Sequence, residues 1–176
     1  SVVSTQLTSL EGLDNLVQSD GGIGLVANSQ LTALKGLNNL KSVKNLTLLD
    51  NPVLEHLDDL ESLVEVNGQL GVNTNNKLTS IKGLSKITSA TVVNIIGNES
   101  LPNLEGLENI ATITSSSIQN GVLTVAGNNS LEDISSLQGV KFVEGRFNLS
   151  GNVILEDCCS IAHLIDEDDT NGQVLG

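Results

Sequence analysis

Leu31-Thr-Ala-Leu34-Lys-Gly-Leu37-Asn-Asn-Leu40 decides the fold, because the chain repeats it. The same arrangement stands at Leu7-Thr-Ser-Leu10-Glu-Gly-Leu13-Asp-Asn-Leu16 and at Leu78-Thr-Ser-Ile81-Lys-Gly-Leu84-Ser-Lys-Ile87, with looser copies starting at Leu54, Leu101, Leu131 and Leu155. Successive starts lie 24, 23, 24, 23, 30 and 24 residues apart. One structural unit therefore has 23–24 residues, and the fifth carries an insertion, read as a Ser/Thr-rich loop at about 111–121. Each unit also holds an apolar-x-apolar pair, two more residues and an Asn: Ile23-x-Leu25-x-x-Asn28, Leu46-x-Leu48-x-x-Asn51, Leu70-x-Val72-x-x-Asn75, Val93-x-Ile95-x-x-Asn98, Leu123-x-Val125-x-x-Asn128 and Phe147-x-Leu149-x-x-Asn152.

Alternation with period two marks a short strand with one buried face, and strands that recur once per unit stack in parallel. The Asn at a fixed place after each strand predicts a buried asparagine ladder of Asn28, Asn51, Asn75, Asn98, Asn128 and Asn152, its amides bonding backbone groups of their own and neighbouring coils. The spacing of three in Leu-x-x-Leu-x-Gly-Leu-x-x-Leu fits tight corners and short strands better than a helix, since Gly12, Gly36, Gly83 and Gly106 are poor helix residues; a short helical turn fits it as well. No coil buries its leucines alone, so stability comes from stacking on neighbours. The expected fold is mainly β: a right-handed parallel β-solenoid of about six to seven coils, occupying 1–176 as one domain.

Composition narrows the function by exclusion. The net charge is -13, and aromatic residues make up only 1% of the chain while hydrophobic ones reach 39%, so the core must be aliphatic. Such a surface repels nucleic acid and offers its bases no stacking platform. No apolar stretch is long enough to insert into a membrane. The two histidines, His56 and His163, stand far apart in the array and outside any metal-spaced cluster, so no enzyme is expected. Asp166, Asp168 and Asp169 could offer calcium their carboxylates, but the spacing lacks a full loop pattern and a distant bidentate Glu. A solvated acidic loop is the favoured reading, with no metal and no cofactor.

At these repeats the chain resembles the leucine-rich, L-domain type of repeat found in growth-factor and insulin receptor ectodomains and in surface proteins of fungi and Bacteroidetes-type bacteria. It is similar to general leucine-rich repeats as well, but in Asn51-Pro-Val-Leu54 the next Leu comes three residues after Asn rather than two. The resemblance spans essentially the whole chain and implies an extracellular or cell-surface module for ligand binding or adhesion. The ending Leu155-Glu-Asp-Cys158-Cys159-Ser-Ile161 resembles the last coil of the bacterial versions, a terminal Cys-containing coil at 155–176. There Cys158 and Cys159 are either disulfide-bonded to partners beyond Gly176 or inert buried thiols. Both ends read as cut, with Ser4 at the Asn place of the first coil, so the chain is expected to be a segment of a longer protein.

The outward strand positions are the expected binding face: one column of Gly24, Thr47, Gly71, Asn94, Thr124 and Asn148, and another of Val26, Leu49, Asn73, Ile96, Ala126 and Ser150. Val26, Leu49 and Ile96 side by side would form an apolar strip of the kind protein interfaces use. Its partner would be a protein or glycan, or a copy of the parent protein if the module is instead a structural spacer or self-stacking segment. Ice or mineral binding is a minor reading, since neither column is a regular Thr row. Among four Asn-x-Ser/Thr sequons, Asn45 and Asn148 are the expected glycosylation sites; Asn98 and Asn128 belong to the ladder.

Overall fold

A computed structural model describes residues 1–114, 123–156 and 159–164. The chain is mainly β, with parallel strands stacked as a β-solenoid of about six turns and little helix. In chain order the strands are β1 (Val2–Val3), β2 (Gln18–Val26), β3 (Ser42–Leu49), β4 (Glu65–Val66), β5 (Gln69–Asn73), β6 (Ser89–Ala90), β7 (Val92–Ile96), β8 (Thr112–Ile113), β9 (Leu123–Ala126), β10 (Phe142–Val143) and β11 (Phe147–Ser150). The main sheet runs β1-β2-β3-β5-β7-β9-β11, with β4 on the side of β3, and a second sheet runs β10-β8-β6. A third line of contact follows the Leu-x-x-Leu stretch, where Thr32 N–H bonds the Thr8 carbonyl (3.3 Å), Thr79 N–H the Glu55 carbonyl (2.9 Å) and Glu132 N–H the Pro102 carbonyl (2.9 Å).

Between the sheets the leucines spaced by three are joined by hydrogen bonds of the same spacing. Leu37 N–H donates to the Leu34 carbonyl and Leu40 N–H to that of Leu37, both at 3.0 Å, and the same links recur in the other coils. At three residues per turn successive side chains eclipse one another, so all these leucines point inward. Among the described residues four coils draw this into 3-10 turns, at Asp58–Leu60, Lys82–Leu84, Ser135–Gly139 and Cys159–Leu164. Corners and short helical turns thus coexist. The conserved geometry explains the three-residue gap after Asn too, because Leu54 N–H bonds the Asn51 carbonyl at 3.1 Å.

Glycine at the corner has a packing cause. A Cβ on Gly36 would stand 2.0 Å from the Leu10 carbonyl oxygen, and one on Gly83 only 1.8 Å from that of Leu57, so the coils touch backbone to backbone. In the third coil Asp59 takes this place, and its carboxylate accepts the Leu34 N–H at 2.9 Å.

The core is aliphatic except for Phe147. Burial reaches 0% exposure at Leu37 and 1% at Leu31, yet their equivalents in the first coil, Leu13 and Leu7, are 43% and 45% exposed. Each coil buries its leucines under the next and the preceding one.

The ladder asparagines Asn28, Asn51, Asn75, Asn98 and Asn128 are fully buried, and Asn152 is half-buried. In a middle rung, Asn51 Oδ1 accepts the backbone N–H (3.2 Å) and Nδ2 (3.1 Å) of Asn28, while its Nδ2 donates to the Leu25 carbonyl (3.0 Å) and to Asn75 Oδ1 (3.2 Å). The pattern repeats through Asn75, Asn98, Asn128 and Asn152. Even across the insertion Asn98 N–H reaches Asn128 Oδ1 at 2.9 Å.

The first rung is Thr5 rather than Ser4. Val2 and Val3 pair with Leu25 and Val26, which places Ser4 opposite Ala27 and Thr5 opposite Asn28. The Thr5 hydroxyl donates to Asn28 Oδ1 at 2.8 Å. Ser4 instead belongs to a row of left-handed residues that turns the chain out of each strand: Ser4, Ala27, Asp50, Thr74, Gly97, Gly127 and Gly151, with φ between 51 and 66°.

Candidate functional site: the ladder face

The main sheet gathers the sequence-predicted face. Its register aligns Gly24, Thr47, Gly71, Asn94, Thr124 and Asn148 in one column, and Val26, Leu49, Asn73, Ile96, Ala126 and Ser150 in the other. Adjacent ranks stand about 4.8 Å apart, the spacing of hydrogen-bonded strands. Val26, Thr47, Leu49, Asn73, Asn94, Ile96, Thr124 and Asn148 therefore lie on one surface.

Relief on that surface is low. Leu49 is 36% exposed, while Val26 and Ile96 are half-buried. Val26 and Leu49 are neighbours, but Asn73 separates Leu49 from Ile96, so the apolar strip expected from the sequence is interrupted by an amide. In the orientation that satisfies its surroundings, Asn73 donates to the carbonyls of Val72 (3.1 Å) and Asn94 (3.2 Å). Gly71, beneath that side chain, is buried although it faces outward. None of the twelve face positions carries an ionisable side chain, in a molecule of net charge -13.

The expected glycosylation sites are less open than their positions imply. Asn45 Oδ1 accepts the Gln69 N–H at 2.8 Å, and Asn148 Oδ1 is enclosed without a hydrogen-bond partner among the described residues.

Elsewhere, His56 Nδ1 stands 3.5 Å from Asp58 Oδ2 in an open groove along the third line of the solenoid, shared with Glu55, Lys35 and Glu11. The Asp59 carboxylate in that groove is occupied by Leu34 N–H and Asn38 Nδ2. The His163 ring bonds the Val140 carbonyl at 2.7 Å. Among the described residues no three His, Cys, Asp or Glu side chains meet in a way that could hold a metal ion. Cys159 is exposed at the start of the turn Cys159–Leu164, whereas Cys158 and the acidic run with Asp166, Asp168 and Asp169 lie outside the described residues. Among those described, no helix is long and apolar enough to cross a membrane.

No family model, curated protein or solved structure matches this chain. The ladder face and its chemistry are thus the basis for a functional reading. Sequence reasoning missed the row of left-handed residues bordering this face, since only Gly97, Gly127 and Gly151 announce it; Ala27, Asp50 and Thr74 carry no such signal.

Proposed function

We propose that the chain is a non-catalytic recognition or adhesion module of the cell surface or extracellular space, binding a protein or glycan through the ladder face. The observation that carries this reading is the uncharged, low-relief pair of columns on a strongly acidic molecule. Surface free of charge costs less to desolvate than surface carrying solvated carboxylates. The rigid stack presents these side chains with their backbone already fixed, so little ordering entropy is lost on binding. The resemblance to L-domain repeats supports the same location and role. No cofactor takes part, and nucleic acid and the bilayer interior are not partners.

The test is affinity capture from solubilised cell envelope or matrix, run beside immobilised neutral glycans, with the chain and a Leu49→Asp/Ile96→Asp variant as baits. A partner retained by the chain and lost by the folded variant supports the reading. Equal retention by both moves the site off this face, and recovery of the parent protein alone replaces recognition with self-stacking.

A further inference from the structure

We propose that Asn67 is a self-modification site, where the folded chain deamidates spontaneously through the backbone nitrogen of Gly68. Asn67 and Gly68 form the bend between β4 and β5, and the Asn67 side chain is exposed. Among the described residues the Gly68 N–H meets no acceptor and the Asn67 amide makes no hydrogen bond, although Asn67 N–H is held by the Val43 carbonyl at 3.1 Å. Nucleophile and electrophile are thus adjacent and unengaged, on a bend anchored by the Asn67 N–H bond to Val43 and by the Gly68 carbonyl, which accepts the Thr91 N–H at 3.0 Å.

The fold also fixes the residue that makes this reaction fast. A Cβ at position 68 would lie 2.3 Å from Asn45 Oδ1 and 2.7 Å from the Lys44 carbonyl oxygen, so packing against the preceding coil demands glycine. Glycine leaves its nitrogen unshielded by any side chain. The ladder asparagines are the internal contrast: Asn75 uses both amide atoms in buried hydrogen bonds and must break free before reacting.

In the reaction the Gly68 nitrogen loses its proton and bonds to Asn67 Cγ, the Cγ–Nδ2 bond breaks, and ammonia leaves carrying that proton. Water then opens the five-membered imide. Cleavage at Cγ gives aspartate at position 67, and cleavage at the main-chain carbonyl gives isoaspartate, with the backbone rerouted through the side chain. Either product adds a negative charge. The second also lengthens the main chain beside the Gln69 N–H to Asn45 bond that clasps two coils.

The purified chain is aged in mildly alkaline buffer with and without urea, and each asparagine is followed by peptide mapping with fragmentation that separates isoaspartate. In the folded chain Asn67 should convert at least tenfold faster than Asn75, which is fully buried and is followed by Asn76 rather than by glycine. Urea should accelerate Asn75 strongly and Asn67 little, and Asn67→Gln should remove the signal from its peptide while Asn120-Gly121 and Asn171-Gly172 are scored in theirs. An intact Asn67 in the folded chain, or acceleration by urea as large as that of Asn75, overturns the proposal.

Discussion

Replacing Asn75 by alanine cuts the ladder at its centre. The amide makes five hydrogen bonds: its Oδ1 accepts Asn51 N–H (3.1 Å) and Asn51 Nδ2 (3.2 Å), and its Nδ2 donates to the carbonyls of Leu48 (3.0 Å) and Asn73 (3.1 Å) and to Asn98 Oδ1 (3.3 Å). Some partners are covered after truncation. Asn51 Nδ2 keeps Leu25 and Leu49, and Asn98 Oδ1 keeps the backbone N–H of residue 75. The Asn51 N–H keeps nothing, and an orphaned buried donor costs about 1–3 kcal/mol. With the small cavity added, the expected loss is about 2–4 kcal/mol. The chain has no Trp or Tyr, so the assay is urea unfolding followed by far-ultraviolet circular dichroism. The midpoint should fall by roughly 1 M at unchanged slope. The same truncation at Thr5, the half-exposed first rung, should cost under about 1 kcal/mol. Equal small losses at both sites would refute the account of the ladder as a buried, fully paired network.

Further expectations concern the corners and the core. Gly83→Ala drives a methyl into the Leu57 carbonyl and should lower stability by about 3 kcal/mol or more, whereas Gly12→Ala, with open space around it, should cost only about 1–2 kcal/mol for its left-handed φ; thermal melts of the pair decide this. Leu37→Ala should cost about 2–5 kcal/mol and Leu13→Ala clearly less, measured by the same urea titration. Thr74→Gly should raise the melting temperature, by up to about 1 kcal/mol of stability, because a β-branched residue at φ 57° is strained where later coils use glycine.

The strands and the asparagine row were legible because one period, two residues, is enforced by burial on a single face, and a slip by one would have exposed Leu25 or Val72. For the same reason the register of the twelve face positions could be written from the sequence. The Leu-x-x-Leu stretch was ambiguous because a spacing of three belongs equally to helix and to eclipsed tight turns; only the recurring bonds between residues three apart distinguish them. Ser4 was misplaced because the first coil offers hydroxyls at two successive positions, and the pairing of Val2 with Leu25 decides between them. The interruption of the apolar strip was already legible in the column order, where Asn73 stands between Leu49 and Ile96; what the sequence left open is how Asn73 folds over Gly71, a side-chain choice.

From Asn28 to Asn128 every link of the asparagine row runs the same way: each Nδ2 gives one hydrogen to the next Asn Oδ1 and the other back to a carbonyl of the preceding strand. The row is therefore a vector, with its small dipoles adding along the stack rather than cancelling. Such an arrangement can be lengthened or shortened by whole turns, each new link meeting the same donor below and the same acceptor above. It tolerates extra residues between links, as the 30-residue step from Asn98 to Asn128 demonstrates. It rejects inversion, because two stacks meeting at like ends would set oxygen against oxygen or nitrogen against nitrogen. Duplication of a coil thus preserves the row wherever it occurs, whereas a coil stacked in the opposite sense breaks it.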